Sequence, residues 1–65
     1  SLRLLSPREV QVLRLIAQGW MSKHIAEHCS ISVHTVSRHR QNILTKLKVR
    51  TSIEACQIAK ELGLI

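Results

Sequence analysis

The sequence of 65 residues predicts an all-α fold of four helices, and two observations carry that prediction. Apolar residues recur at helical spacing in four stretches, whereas β-branched clusters that alternate between apolar and polar residues are missing. The only Pro and Gly residues, Pro7, Gly19 and Gly63, stand where helices would begin or end. We therefore expect one small domain over residues 1–65.

The composition is globular and strongly basic. Apolar residues make up 45% of the chain and charged residues 22%, which is not the signature of disorder. Ten Lys and Arg residues face four acidic residues, all of them Glu, so the formal net charge is +6. Such an excess on a small domain favours a polyanionic partner. The absence of Asp excludes an aspartyl phosphoacceptor and a Ser-His-Asp triad within this sequence.

The first helix is predicted at 7–18. Ser6-Pro7-Arg8-Glu9 has the form of a capping box, with Pro at the first helical position and Gly19 as the stop signal. The second helix is predicted at 22–29 with Ser22 as its N-cap. The apolar faces of these two helices are Val12, Leu13, Ile16 and Ala17, and Ile25, Ala26 and Cys29.

The third helix is predicted at 33–47 behind the cap residue Ser32, and the fourth at 53–61 behind Ser52. The inward positions of the third helix are Val36, Ile43 and Leu47, with Arg40 and Leu44 beside them. Those of the fourth are Ala55, Ile58, Ala59 and Leu62. The two cysteines are compatible with one disulfide, but two reduced, buried thiols are the more economical interpretation.

The outward face of the third helix points to nucleic acid. It consists of polar and cationic side chains only, and no acidic residue occurs between His28 and Ile53. An ordinary solvated helix face would mix both signs of charge. A short helix, a three-residue break and a longer polar-faced helix form a helix-turn-helix, whose second helix enters the major groove. The face contains His34, Ser37, Arg38, Gln41, Asn42 and Thr45.

Short motifs along the whole chain match one known family. They are Leu5–Glu9, Val12–Gly19, Lys23, Ile25–Ala26, Ile31–Ser32, Thr35–Val36, His39–Arg40, Asn42–Leu44, Lys46–Leu47 and Val49–Arg50. On these residues the sequence closely resembles the DNA-binding domain of the LuxR/GerE family of bacterial transcription regulators. The resemblance implies a four-helix bundle with a central helix-turn-helix, excised from a longer regulator, that acts on double-stranded DNA in the cytoplasm.

The resemblance also implies roles for individual residues. Base edges would be read by Ser37, Arg38 and Gln41, with His34 at the margin; Arg suits guanine and Gln suits adenine. Phosphate contacts would come from Ser22, Lys23, Thr35, His39, Lys46 and Arg50. The last helix would form a homodimer, weak in the isolated domain, through Ile53, Cys56, Gln57 and Lys60. RNA polymerase is a further partner that the family allows, and no cofactor, metal or membrane is implied.

The sequence departs from the family pattern at three positions. Ser30 and Lys48 stand where the family commonly has Gly, and His24 stands where it often has Glu. A residue other than Gly at positive φ costs about 1 kcal/mol, so we expect a strained turn near Ser30.

Alternative functions rest on weaker patterns. His24-Ile25-Ala26-Glu27-His28 spells a zinc-hydrolase motif, but no further ligand or cleft accompanies it, and the chain is not expected to be an enzyme. A sigma-factor region 4-like promoter-binding domain shares the four-helix plan. A basic helical module for protein or membrane surfaces would need apolar residues that this bundle uses for its core.

Overall fold

A computed structural model of the chain describes residues 4–65, so the first three residues of the predicted domain lie outside it. Four α-helices follow one another: α1 (Pro7–Ala17), α2 (Ser22–Cys29), α3 (Val33–Leu47) and α4 (Ser52–Glu61). The described part of the chain contains no β-strand. The all-α prediction is confirmed, and α2 and α3 have the predicted bounds.

Helix α1 begins and ends as its sequence predicts. The backbone amide of Glu9 donates to Ser6 Oγ at 3.1 Å, and the amide of Ser6 donates to Glu9 Oε1 at 2.9 Å. At the other end Gly19 adopts φ +91°, and the amide of Trp20 donates to the carbonyl of Leu15 at 3.0 Å. This left-handed stop satisfies carbonyls that the last turn would leave without a partner.

The core lies between α1 and the helix-turn-helix pair α2–α3, and α4 closes it from the side. α1 contacts the three other helices, and α4 packs against α1 and α3, whereas α2 and α4 do not pack against each other. The five largest fully buried side chains come from α1, α2 and α3: Val12, Leu13, Ile25, Val36 and Ile43. The predicted inward faces of α2 and α3 are therefore confirmed.

Two predicted inward positions are wrong. Ala17 is exposed, and Leu15 is buried instead, because α1 packs against three helices and its buried arc is wider than one stripe. Leu62 is 53% exposed. The chain turns at Gly63, the amide of Leu64 donates to the carbonyl of Ala59 at 2.8 Å, and Leu64 packs against the core in its place.

The predicted N-caps of α2 and α4 are also wrong. Met21 caps α2 without any side-chain hydrogen bond, and Thr51 caps α4 by accepting from the amide of Glu54 at 3.2 Å. Ser22 and Ser52 are each the first helical residue. Their hydroxyls have another use, because both accept hydrogen bonds from the guanidinium of Arg40 at 2.9 Å.

Two helices end on a left-handed residue that is not Gly. Ser30 after α2 and Lys48 after α3 both have φ +58°. These are the two positions at which the resemblance described above led us to expect Gly. The expected strain is thus present in the turn of the helix-turn-helix, and a second strained residue ends α3.

Candidate nucleic-acid interface

The outward face of α3 is free of the bundle. Val36, Ile43 and Leu47 turn to the core. The residues on the opposite side are all exposed, as predicted, and they are His34, Ser37, Arg38, Gln41, Asn42 and Thr45. At about 1.5 Å per residue the helix is roughly 22 Å long, and the major groove of B-DNA is wide enough to admit such a helix.

The four predicted base-reading residues lie together in the N-terminal part of this face. His34, Ser37, Arg38 and Gln41 fall within about two turns of α3, and each is exposed. Within residues 4–65 the side chain of Arg38 makes no hydrogen bond or ion pair. Its guanidinium can therefore bind an external acceptor without first breaking an internal contact.

The predicted phosphate-contacting residues fall into two groups, one at the N-termini of α2 and α3 and one in the later part of α3 and just beyond it. Ser22 and Lys23 form the start of α2, and Thr35 lies in the first turn of α3, so three of them sit at helix N-termini, where backbone amides favour anions. The Thr35 amide is already used, because it donates to the cap Ser32 Oγ at 3.0 Å. His39 is half-buried and Arg50 is exposed after the end of α3.

Lys46 has an internal partner that the sequence analysis missed. Its Nζ lies 2.8 Å from Glu9 Oε1, which is the only ion pair within residues 4–65. Glu9 is 4% exposed, whereas the side chain of Lys46 remains 42% exposed. The contact ties the C-terminal part of α3 to the N-terminus of α1. The sequence did contain one signal for this contact. Glu9 shares the helical spacing of the buried residues Val12 and Leu13, and no Lys or Arg stands three or four residues after it to pair with it.

The surroundings of Glu9 set its protonation. Burial by itself would raise the pKa of this carboxyl, but hydrogen bonds from Lys46 and the Ser6 amide, the charge of Lys46 and the Ser6 hydroxyl outweigh burial. The pKa of Glu9 is therefore held below its ordinary value of 4.5. Glu9 thus stays ionised in the folded state and holds Lys46 in place.

Arg40 is the second residue whose role the sequence analysis did not foresee. Its Nη1 donates to Ser22 Oγ in α2 and its Nη2 to Ser52 Oγ in α4. The guanidinium thereby joins two helices that do not pack against each other. From the sequence, Arg40 was expected only to lie beside the inward positions of α3, and its contacts with these two hydroxyls come from the structure.

The predicted dimer surface is partly apolar. Ile53 is 73% exposed, Gln57 and Lys60 are exposed, and Cys56 is half-buried. Ile53, Cys56 and Lys60 line a shallow recess of about 200 Å³ together with Ile16 and Ala17 of α1.

The two cysteines remain separate. Both thiols are free, with Cys29 buried in the core. Burial raises the pKa of the Cys56 thiol, although the nearby positive charges of Lys60 and Arg40 oppose that effect. The Cys29–Cys56 disulfide that the sequence allowed is not formed.

The zinc-hydrolase motif lies on the exposed side of α2. His24 and His28 border an open cleft with Trp20, and the ring of His28 meets Trp20 edge-on with 5.2 Å between ring centroids. No group of three or more potential metal ligands occurs in the part of the chain that the structure describes. None of the four helices is long and apolar enough to cross a bilayer, as judged on residues 4–65.

Comparison with known proteins agrees with this geometry. Residues 3–59 match the family described as bacterial regulatory proteins of the luxR family. The chain is 42% identical over 57 residues to the oxygen regulatory protein NreC of Staphylococcus epidermidis, and equally to NreC of Staphylococcus aureus. Each match covers 88% of this chain and 26% of the relative. The chain thus spans about a quarter of the length of the curated relatives it matches.

Proposed function

Since the chain belongs to the luxR family of bacterial regulatory proteins, we propose that it binds a specific double-stranded DNA site with α3 in the major groove and so regulates transcription. The observation that carries this proposal is the outward face of α3, which is exposed, free of acidic side chains and opposite the buried stripe. Such a face offers donors to base edges and attracts phosphate at the same time.

Sequence readout is assigned to Ser37, Arg38 and Gln41, with His34 at the margin. Arg38 can donate two hydrogen bonds to guanine, and Gln41 can pair with adenine. Both side chains are exposed, Arg38 in the N-terminal half of α3 and Gln41 just beyond its midpoint. The N-terminal residues of a recognition helix are those that meet base edges.

Backbone contacts are assigned to Ser22, Lys23, Thr35, His39 and Arg50. Lys46 joins this set at a cost, because a phosphate would have to share its ammonium with the carboxylate of Glu9. These contacts position the domain on the duplex, whereas specificity comes from the base edges.

A homodimer through α4 completes the proposal. Pairing of the surface Ile53, Cys56, Gln57 and Lys60 across a two-fold axis would present two copies of α3 to a dyad-symmetric site. The largest dimension of the domain is 28 Å. Two copies therefore fit side by side on half-sites spaced about 34 Å apart, one turn of B-DNA. The recess beside Ile53 is small, so we infer weak pairing in the isolated domain.

The remaining assignments follow from the family. The domain would act in the bacterial cytoplasm, without enzymatic activity, as the output module of a longer regulator whose input domain senses a signal. Contact with RNA polymerase would be part of that output. A membrane-binding role is not favoured, because Val36, Ile43 and Leu47 of the basic helix are buried in the bundle.

Selection from a randomised duplex pool, followed by fluorescence anisotropy of the enriched sequences at two salt concentrations, tests the proposal. We expect an enriched inverted repeat. If about five phosphates are neutralised per protomer, the logarithm of the binding constant falls with that of salt at a slope near −4 to −5. Salt-sensitive binding without any enriched sequence would contradict specific readout.

A further inference from the structure

We propose that Arg40 and Arg50, together with the hydroxyls of Ser22 and Ser52, form a phosphate-binding site between the N-termini of α2 and α4. The ligand we assign to it is one phosphodiester of the DNA backbone. The inference rests on the proposed function and extends it, because it gives the half-buried Arg40 and the first residue of α4 a direct part in DNA binding.

An open cavity of about 280 Å³ holds these groups. Ser22, Arg40, Arg50 and Ser52 all line it, so side chains from three helices and one loop converge there. No acidic residue lines this cavity. Its polar side chains are two guanidinium groups, three serine hydroxyls and the amide of Gln41, all of which can donate hydrogen bonds to phosphate oxygens.

The guanidinium of Arg40 is already oriented. Its two terminal nitrogens each donate to a serine hydroxyl at 2.9 Å, one in α2 and one in α4. A guanidinium carries five N–H donors, so further donors remain for a ligand. Since the side chain is half-buried and held at both nitrogens, little conformational freedom would be lost on binding a phosphate.

Within residues 4–65, no ion pair neutralises the positive charge of this cavity. Neither Arg40 nor Arg50 forms an ion pair in residues 4–65, where Lys46–Glu9 is the only one. The N-terminus of α2 has no side-chain cap, so its first amides also face outward with their partial positive charge. Glu54, the acid nearest in sequence, keeps its charge but forms no ion pair with either arginine and does not line the cavity; it accepts hydrogen bonds from the Thr51 hydroxyl and the Arg50 backbone amide.

The position of the cavity selects DNA as the source of the phosphate. Ser37 and Gln41, two of the proposed base readers, line the same cavity as Arg40. A phosphate seated there would belong to a strand that borders the groove occupied by α3. A free anion would satisfy the same donors, and the experiment therefore has to separate the two sources.

The test uses the duplex obtained by selection, with one phosphate at a time replaced by a neutral methylphosphonate. We expect one position per half-site at which this replacement weakens wild-type binding by about tenfold, the effect of losing a charged hydrogen bond. In Arg40→Met, which keeps an apolar stem of similar length, that position should become insensitive, and the salt slope should fall by about one.

Three further variants serve as controls for this experiment. Arg14→Met removes an exposed arginine of α1 outside the cavity and should keep the wild-type methylphosphonate profile. Arg50→Gln changes an exposed side chain and should reduce sensitivity at the same position, which covers the case in which Arg40→Met fails to fold. Arg40→Lys keeps the positive charge but loses the planar guanidinium with its paired donors. We therefore expect it to restore only part of the methylphosphonate sensitivity that Arg40→Met loses.

The outcomes are distinct. If the wild-type chain binds duplexes but Arg40→Met and Arg50→Gln leave the methylphosphonate profile and the salt slope unchanged, this site is overturned and the proposed function stands. If the wild-type chain binds no duplex, the result contradicts both the phosphate site and the proposed function. Inorganic phosphate is the second probe: a rise in melting temperature that Arg40→Met abolishes, with no phosphodiester dependent on Arg40, would make this a free-anion site and overturn its assignment to DNA.

Discussion

The exposed faces of α3 and α4 differ in the chemistry they offer. The α3 face is polar and cationic, and its apolar neighbours Val36, Ile43 and Leu47 are buried. The α4 face leaves Ile53 73% exposed beside a half-buried thiol and a shallow recess. Helices of one small bundle thus present one surface matched to phosphate and base edges and another matched to a second apolar surface.

If the proposed function is correct, a chain of 65 residues holds two interfaces of different chemistry. Charged donors on α3 act on DNA at long range and lose strength with salt, whereas apolar burial on α4 is nearly independent of salt. A change on one face should therefore leave the other function intact. The variants below test that separation, beginning with the largest expected effect.

Arg38→Ala changes only the exposed face of α3. Loss of the proposed bidentate contact to guanine should weaken binding to the selected site by about 1–3 kcal/mol and relax preference at one base pair, with self-association unchanged. Anisotropy on the selected duplex and its single-base variants measures this. Arg14→Ala removes the same charge from α1 and is the matched control. Equal weakening on every sequence would show that Arg38 contacts phosphate instead of a base.

Ile53→Glu changes the exposed face of α4. A carboxylate at an exposed apolar position should oppose pairing, abolish cooperative binding to the dyad site and cost about tenfold in affinity there, or about 1.4 kcal/mol. Affinity for a single half-site should fall much less, because the new carboxylate follows Ser52 of the phosphate cavity but lies outside the base-reading face of α3. Titrations of full and half sites compare the two. The change Glu61→Gln, on the same helix, serves as control, and cooperativity that survives Ile53→Glu would put the dimer surface elsewhere.

Glu9→Gln removes a charge that lies on neither face but holds the end of α3 against α1. The loss of the charged hydrogen bond to Lys46 should lower the free energy of unfolding by about 1 kcal/mol near pH 7. The capping box is kept, because the side-chain oxygen of Gln can also accept from the Ser6 amide. Because the folded-state pKa of Glu9 is lowered, its contribution is complete above the unfolded value near 4.5 and is lost as pH falls through the folded-state value.

Urea denaturation of wild type and Glu9→Gln across this pH range measures the effect of the ion pair. The difference between the two proteins should shrink as the solution is acidified below pH 4.5. Glu27→Gln, an exposed acid on α2, should show no such convergence. A difference that persists unchanged at acid pH would mean that the ion pair contributes nothing to stability.

Ser30→Gly has the smallest expected effect and acts on the turn that sets α3 against α2. Glycine removes the cost of a left-handed serine but gains freedom in the unfolded chain, so a net stabilisation of about 0.5 kcal/mol is expected. Thermal melts measure it. Ser37→Gly within α3 should have the opposite sign, since glycine inside a helix is unfavourable. A destabilised Ser30→Gly would show that the serine side chain makes a compensating contact.

Local signals explain why so much of the fold could be predicted. Ser6 and Glu9 specify the start of α1 through local hydrogen bonds, Pro7 through its fixed φ, and Gly19 ends the helix because it adopts a positive φ. The apolar spacing of α3 gives its buried side directly. Predictions from local sequence were wrong where a residue from another helix contacts the side chain concerned. Ser22 and Ser52 have the chemistry of caps, but Arg40 uses their hydroxyls from another helix.

The candidate site was predictable to a similar extent. Exposure of the residues assigned to base reading followed from helical periodicity, and their role remains a prediction from the resemblance. Periodicity could not show that Lys46 meets Glu9, since those residues are far apart in the chain and join only when α1 packs on α3. For the same reason the cavity around Arg40 had no signature in the sequence.

By itself, the sequence determined four helices, their bounds to within a residue, the family and the acid-free face of α3, because each depends on interactions a few residues apart or on residue type alone. Only the tertiary structure decided that Leu64 replaces Leu62 against the core, that Lys46 pairs with Glu9 and that Arg40 joins the starts of α2 and α4. Those contacts depend on how the helices pack in three dimensions, and no spacing along one helix encodes the position of its neighbour.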